Sequence, residues 1–246
     1  MRNKFFGMTI MSLSNIVQEC RWHSFITPGE LEQAAVSEIL RASQQAISLR
    51  GAFHLVLAGG TTPRRLYESL RFAETDWKAW HIYFGDERCL EPDHAERNSR
   101  MAELAWLNHV AIPAVQIHSI PAELGAETAA GHYNKTLNQI EQFDLVLLGL
   151  GEDGHTASLF PGHDWGNLSN APSVLAVHDA PKPPPDRVSL SATRLGKAHQ
   201  LMFLITGESK REAVRNWRTG INIPAASISP ANGVDVYIEA ILLERN

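Results

Sequence analysis

Apolar and polar positions alternate between two periods along almost the whole chain. Residues 145–148 form an uninterrupted apolar run, too short for a typical helix and closed by Gly149, which predicts a strand buried on both faces. Residues 53–58, 80–84, 200–205 and 234–238 repeat that character, 115–117 and 174–177 do so more weakly, and 187–191 reads as a short alternating strand. Between them the spacing becomes helical. Leu31, Ala34, Ala35, Ile39, Ala42 and Ala46 mark a long amphipathic helix running to about Leu49, and Leu124, Thr128, His132, Leu137 and Ile140 mark another over 122–140. Shorter helices are predicted over 64–70, 100–107 and from Gly207 to about Trp217, with helical turns near 193–196 and 226–229. Strands and helices in this rhythm predict an α/β fold, a mostly parallel sheet covered on both faces.

Thr27, Pro28 and Glu30 have the spacing of an N-cap, a first-turn proline and a capping-box partner, and Gly51 ends that first helix. Pro181, Pro183, Pro184 and Pro185 block regular structure, so 181–186 is expected as a stiff loop. No repeat or linker divides the chain. One α/β domain is expected over 27–246, with 1–26 as an N-terminal extension to which the sequence assigns no role. Arg2 and Lys4 give that extension a faint leader-like start, but Gly7, Thr9, Ser12, Ser14 and Asn15 break its apolar stretch. Nothing reaches the ~18 consecutive apolar residues of a membrane span, so no membrane partner and a cytoplasmic location are expected.

With 246 residues, 44% hydrophobic and 20% charged, the chain has the composition of a folded domain with a sizeable core. A net charge of −5 without a basic run argues against a nucleic-acid partner, although a small anionic ligand responds to its local pocket instead. Cys20 and Cys89 have neither CxxC nor zinc spacing and are expected as reduced thiols.

The candidate chemistry lies in the turns. Gly59, Gly60, Thr61, Thr62 and Pro63 stand between a strand and a helix, where glycines permit close approach and the helix N-terminus favours an anion. A plain capped turn with Pro63 in the first helical turn explains the same residues, and the Walker and dinucleotide signatures are absent. Gly85, Asp86, Glu87 and Arg88 follow a strand directly. Asp86 or Glu87 is suited to orienting a hydroxyl and Arg88 to meeting an anion, the competing reading being a solvated loop. The turn after residues 145–148 carries Gly149, Gly151 and Gly154 with Glu152, Asp153 and His155; a structural loop histidine is the alternative there. Lys210 falls in the first turn of a helix, where a cation opposes the macrodipole unless an anion is nearby. In a parallel sheet such turns emerge on one edge. The expected site therefore combines a phosphate anchor (the 59–62 turn, Arg187 and Lys210) with acid–base groups (Asp153 and His155).

These motifs, GGTTP at 59–63, GDER at 85–88 with Asn98 downstream, GLGEDGHTASLFPG at 149–162, RVSLS at 187–191 and GESK at 207–210, resemble the glucosamine-6-phosphate isomerase/6-phosphogluconolactonase family, in its lactonase branch. They run in the family order from about residue 28 to 238. The resemblance implies a three-layer, Rossmann-like open sheet and a hydrolase that opens 6-phospho-D-glucono-1,5-lactone in the oxidative pentose phosphate route. It implies no metal and no cofactor, a small-molecule sugar-phosphate lactone as partner, and a monomer or small homo-oligomer. By the same resemblance His155 is the general base, Asp153 orients it or the substrate, and Asp86 and Arg88 bind substrate. Gly59, Gly60, Thr61, Arg187 and Lys210 hold the phosphate, and turn N–H groups or Arg88 serve the oxyanion. The deaminase branch expects a glutamate five residues after the histidine, where this chain has Phe160, and a Tyr-containing segment where it has Arg88. Ser189 stands where the lactonases often have threonine. A non-catalytic sugar-phosphate sensor would not need His155, and no DNA-binding segment accompanies it.

Overall fold

The structure, a computed structural model, describes residues 18–244. In chain order the strands are β1 (Cys20–Phe25), β2 (Phe53–Leu57), β3 (Trp80–Phe84), β4 (Asp86–Arg88), β5 (Ile117–His118), β6 (Phe143–Gly149), β7 (Val174–Val177), β8 (Arg187–Leu190), β9 (Ala198–Ile205) and β10 (Val234–Glu239). The α-helices are α1 (Pro28–Arg50), α2 (Thr61–Leu70), α3 (Asn98–Ala105), α4 (Ala126–Leu137), α5 (Ala192–Leu195) and α6 (Arg211–Arg218).

Seven strands make one sheet in the order β1-β10-β9-β6-β2-β3-β5, with every neighbouring pair parallel. β6 lies at its centre and is buried at every position from Phe143 to Leu148. Burial of successive, oppositely directed side chains means that both faces are covered, as the unbroken apolar run predicts. α1 begins with the predicted capping box: Thr27 accepts from the Glu30 N–H, and Glu30 reaches back to the Thr27 N–H. It ends where Gly51 donates to the Ile47 carbonyl. Leu31, Ala35, Ile39, Ala42 and Ala46 form its buried face, against strands including β6 and β10. A cluster of Phe53, Trp77, Trp80, Trp106 and Tyr67, mostly edge to face, fills the space near β2, β3 and α2. Each such burial is worth roughly 1.5–3 kcal/mol.

A second, three-stranded antiparallel sheet, β4-β8-β7, stands beside the first. Gly85 joins the two: its N–H donates to Leu57 of the main sheet and its carbonyl accepts from Leu190 of the small one. In the β4–β8 register Arg88 faces Arg187 directly.

Four expectations change. Asp86, Glu87 and Arg88 are a strand rather than a loop. Residues 20–25, assigned above to an extension, are β1, the edge strand held in register by β10; residues 1–17 of that extension lie outside the described residues. The helix expected over 122–140 breaks at Gly125 into a short 3₁₀ turn and α4. Lys210 closes a 3₁₀ turn and caps α6 instead of lying within it.

Candidate active site

β2 and β6 are neighbours, although the chain passes through β3 and β5 between them. From β2 it builds outward through β3 to β5, and from β6 outward through β9 to β10. The carboxyl ends of β2 and β6 thus flank the point where strand order reverses, the place where open parallel sheets bind ligands. A cavity of about 360 Å³ opens there, lined in part by Gly59, Gly60, Asp86, Arg88, Asn98, Gly151, His155, Lys182, Arg187 and Lys210. All four predicted turn segments and Arg187 therefore converge.

The turn after β6 is tied to itself. Gly151 donates to the His155 carbonyl at 2.7 Å, Gly154 to the Gly151 carbonyl at 3.1 Å, and the His155 N–H to Asp153 Oδ1 at 3.2 Å. Gly151 is required by close approach, because a Cβ there would stand 2.0 Å from His155 Nδ1. The imidazole Nδ1 contacts Asp153 Oδ1, which leaves Nε2 as the other ring nitrogen. Burial holds the His155 pKa below its ordinary value; hydrogen bonding and charge from Asp153 pull it up, and the charge of Lys182 pushes it further down. A neutral ring with its Nδ1 proton on Asp153 has Nε2 available to accept a proton. Burial raises the Asp153 carboxyl, but the His155 hydrogen bond and charge outweigh it and the net shift is downward. Asp153 stands behind the imidazole and does not line the cavity. The N–H groups of Gly151, Gly154 and His155 are all engaged within the turn.

Asp86 is buried and fixed from two sides. Asn98 Nδ2 donates to its Oδ1 and to its carbonyl at 3.0 Å, and Ser158 Oγ donates to Oδ2 at 2.6 Å. Asn98 in turn lies against Gly59, where a Cβ would meet its Oδ1 at 2.0 Å. Glu87, expected as a hydroxyl partner, turns inward instead. Fully buried, it accepts the N–H groups of Asn98 and Ser99 at 2.8 Å and so caps α3, with Arg97 Nε 3.5 Å away. Arg88 donates through Nη1 to the Glu96 carbonyl, while its buried Nε has no partner among the described residues.

Thr61, the first residue of α2, is exposed and lines an adjoining cavity of about 180 Å³ with Gly60, Arg64, Arg88 and Asn98. Thr62 bonds Thr206 at 2.6 Å and ties α2 to the end of β9. Arg187, 5% exposed, donates through Nε to Pro184 and through Nη2 to Lys182 and Pro183, all backbone carbonyls. Only Nη1 of its fork has no protein acceptor among the described residues. Phe160, fully buried, lies beneath both polar groups: its ring centroid is 4.7 Å from that of His155 and 5.5 Å from Arg187 Cζ. Burial lowers the Lys210 pKa, countered by Glu152 and reinforced by Lys182. Lys182, Asn98 and Ser158 are site or supporting residues that sequence reasoning did not select. The signal for Asn98 was its place downstream of GDER, and for Lys182 only its position within the proline loop.

Among the described residues no group of His, Cys, Asp and Glu has metal-binding geometry, and no helix is long and apolar enough to cross a membrane.

Comparison with known proteins agrees with this architecture. The sequence profile described as glucosamine-6-phosphate isomerases/6-phosphogluconolactonase matches residues 26–237. A Synechocystis protein named 6-phosphogluconolactonase is 38% identical over 193 residues, covering 75% of this chain and 78% of its own. A chloroplastic rice protein (Oryza sativa subsp. indica), named "Probable 6-phosphogluconolactonase 3", is 36% identical over 201 residues; the match covers 75% of this chain and 61% of the rice protein's length. Among solved structures, a 6-phosphogluconolactonase from Shewanella baltica superposes with a TM-score of 0.78 at 29% identity, covering 91% of this chain and 99% of that one. With a parallel sheet of this order, a glycine-bound histidine at its switch point and a profile match over most of its length, the chain belongs to the glucosamine-6-phosphate isomerase/6-phosphogluconolactonase family.

Proposed function

We propose that the chain is a 6-phosphogluconolactonase, hydrolysing 6-phospho-D-glucono-1,5-lactone to 6-phosphogluconate in the cytoplasm. The observation that carries this reading is the His155 imidazole, held over Gly151 with Nδ1 on Asp153, in a cavity that also presents Lys182, Lys210 and Arg187. Nε2 of neutral His155 takes a proton from water as the water oxygen bonds to C1 of the lactone. The carbonyl electrons move onto oxygen, for which Arg88 is a suited donor with its Nε unpartnered among the described residues, while the N–H groups of Gly151, Gly154 and His155 are engaged. The intermediate collapses with cleavage of the C1 to ring-oxygen bond, and the imidazolium returns its proton to that oxygen. Asp153 keeps the ring in the required tautomer. Gly59, Gly60, Thr61, Arg187 and Lys210 are assigned to the phosphate, and Asp86, fixed by Asn98 and Ser158, to a sugar hydroxyl.

Phe160 favours hydrolysis over deamination. It is buried against His155 where a deaminase is expected to carry the glutamate of its proton relay. The test offers freshly prepared 6-phosphogluconolactone and glucosamine 6-phosphate to one preparation, with the spontaneous hydrolysis of the lactone subtracted. Lactone turnover above background without ammonia release is expected. Ammonia from the amino sugar would overturn the choice.

A further inference from the structure

Arg187 is the guanidinium expected at the phosphate, yet most of its fork is engaged elsewhere. Nε and Nη2 donate to the carbonyls of Pro184, Lys182 and Pro183 at 2.9–3.1 Å, three successive residues of the proline loop. The side chain is buried at the start of β8, so the loop is clasped to the small sheet at that point. Lys182 is the one residue of the clasped turn with a cationic side chain. It is exposed, and it lines the same cavity as His155 and Lys210.

Its charge is felt by both. Lys182 pushes the pKa of His155 down and that of Lys210 down, so its ammonium stands within Coulombic reach of each. Among the described residues neither Lys182 nor Lys210 forms a side-chain hydrogen bond or ion pair, and the neighbouring Asp153 is engaged by His155. Glu152 and Asp153 act on Lys210 only at a distance, so the two ammonium groups repel one another without a contacting counter-ion among the described residues, and a phosphomonoester dianion between them matches their charge.

We propose that Lys182 is a direct ligand of the substrate phosphate, paired with Lys210, and that Arg187 is a positioning residue that delivers Lys182 through its clasp on residues 182–184. This rests on the reading of the cavity as a sugar-phosphate site. It assigns Arg187 a different task from that expected of a phosphate fork: most of its hydrogen bonds fix a loop, and the loop supplies the cation.

The test is Lys182→Ala, an exposed position where the fold is not at stake. Affinity for 6-phosphogluconate and for inorganic phosphate is measured by titration calorimetry, with kcat/KM for phosphorylated and unphosphorylated gluconolactone alongside. Loss of a charged hydrogen bond predicts about 10- to 100-fold weaker binding of 6-phosphogluconate. The unphosphorylated lactone should change less than about twofold, and Lys182→Arg should restore most of the affinity. Arg187→Ala should weaken 6-phosphogluconate to a similar extent, and adding Lys182→Ala to it should cost less than about threefold more, because both changes remove one interaction. Unchanged 6-phosphogluconate affinity in Lys182→Ala, or equal losses for both lactones, would overturn the proposal while the lactonase activity of the wild type stands. A wild type without lactonase activity, whose phosphate affinity nevertheless falls in Lys182→Ala, would keep Lys182 as a phosphate ligand and remove the lactonase reading. A wild type that binds neither 6-phosphogluconate nor inorganic phosphate overturns both.

Discussion

The imidazole of His155 rests on the backbone of Gly151, so closely that a methyl group there would stand 2.0 Å from Nδ1. The ring is therefore placed by the absence of a side chain. Gly151 does not require a left-handed backbone, so alanine is tolerated by the chain and resisted only by the ring. Gly151→Ala should lower kcat by about 10²-fold, the usual cost of displacing a reacting group by about an ångström, with little change in melting temperature. Steady-state kinetics beside circular dichroism checks both halves.

Asp153 raises the His155 pKa by hydrogen bond and charge, against burial and Lys182. A base works only when unprotonated, so activity falls in acid as His155 takes up its proton. Asp153→Asn removes the upward contribution, and the acid limb of the kcat/KM profile should move to lower pH while kcat drops from loss of tautomer control. A limb that moves to higher pH, or a wild-type kcat, would show that Asp153 does not act on the ring. His155→Ala should cost about 10²- to 10⁴-fold in turnover above the spontaneous rate.

Glu87 is buried and accepts the first N–H groups of α3 beside Arg97. Glu87→Ala leaves those donors unpaired and removes one of the two carboxylates beside Arg97, which keeps Glu123, so a loss of about 2–4 kcal/mol is expected in urea unfolding. A loss under about 1 kcal/mol would mean that water replaces the carboxylate.

His54, His81 and His118 stack along β2, β3 and β5 with Tyr83, and Arg50 and Asp144 flank His54. Burial, with mutual repulsion for His54 and His118, lowers all three pKa values, that of His118 to about 4. The unfolded chain binds these protons near pH 6.5, so between pH 6.5 and about 4 it holds more of them than the folded protein. Stability present above that window should fall as pH drops through it. His118→Phe, which keeps a ring against Tyr83, should give a flatter melting temperature between pH 7 and 4.5; a slope equal to wild type counts against this account.

Much of this arrangement was legible in the chain. β6 was readable because burial on both faces leaves an unbroken apolar run, and α1 because its capping box is local. The converging turns followed from parallel strands alone. β1 was not legible: it is half exposed at the sheet edge, and its partner β10 lies more than 200 residues further along. β4 has three residues, two of them acidic, and is a strand only because β8 pairs with it. Charge pattern could not separate Asp86, which faces the cavity, from Glu87, which faces α3. Nor could it show that Arg187 uses most of its donors on a loop, since backbone carbonyls carry no signature in sequence.

Arg88 and Arg187 stand opposite one another across the β4–β8 pair, a placement that ordinarily weakens a sheet. Burial lowers the Arg187 pKa; the charge of Asp86 raises it, and that of Arg88 lowers it further. Asp86 offsets part of the repulsion between the two guanidinium groups, and an anion bound in the cavity would offset more of it. Binding and folding are then linked: phosphate or product at about 100 times its dissociation constant adds about 2.7 kcal/mol to the folded state, and the melting temperature rises with ligand concentration. Under the proposed function, the lifetime of the fold would then follow the supply of the sugar phosphate that occupies the cavity.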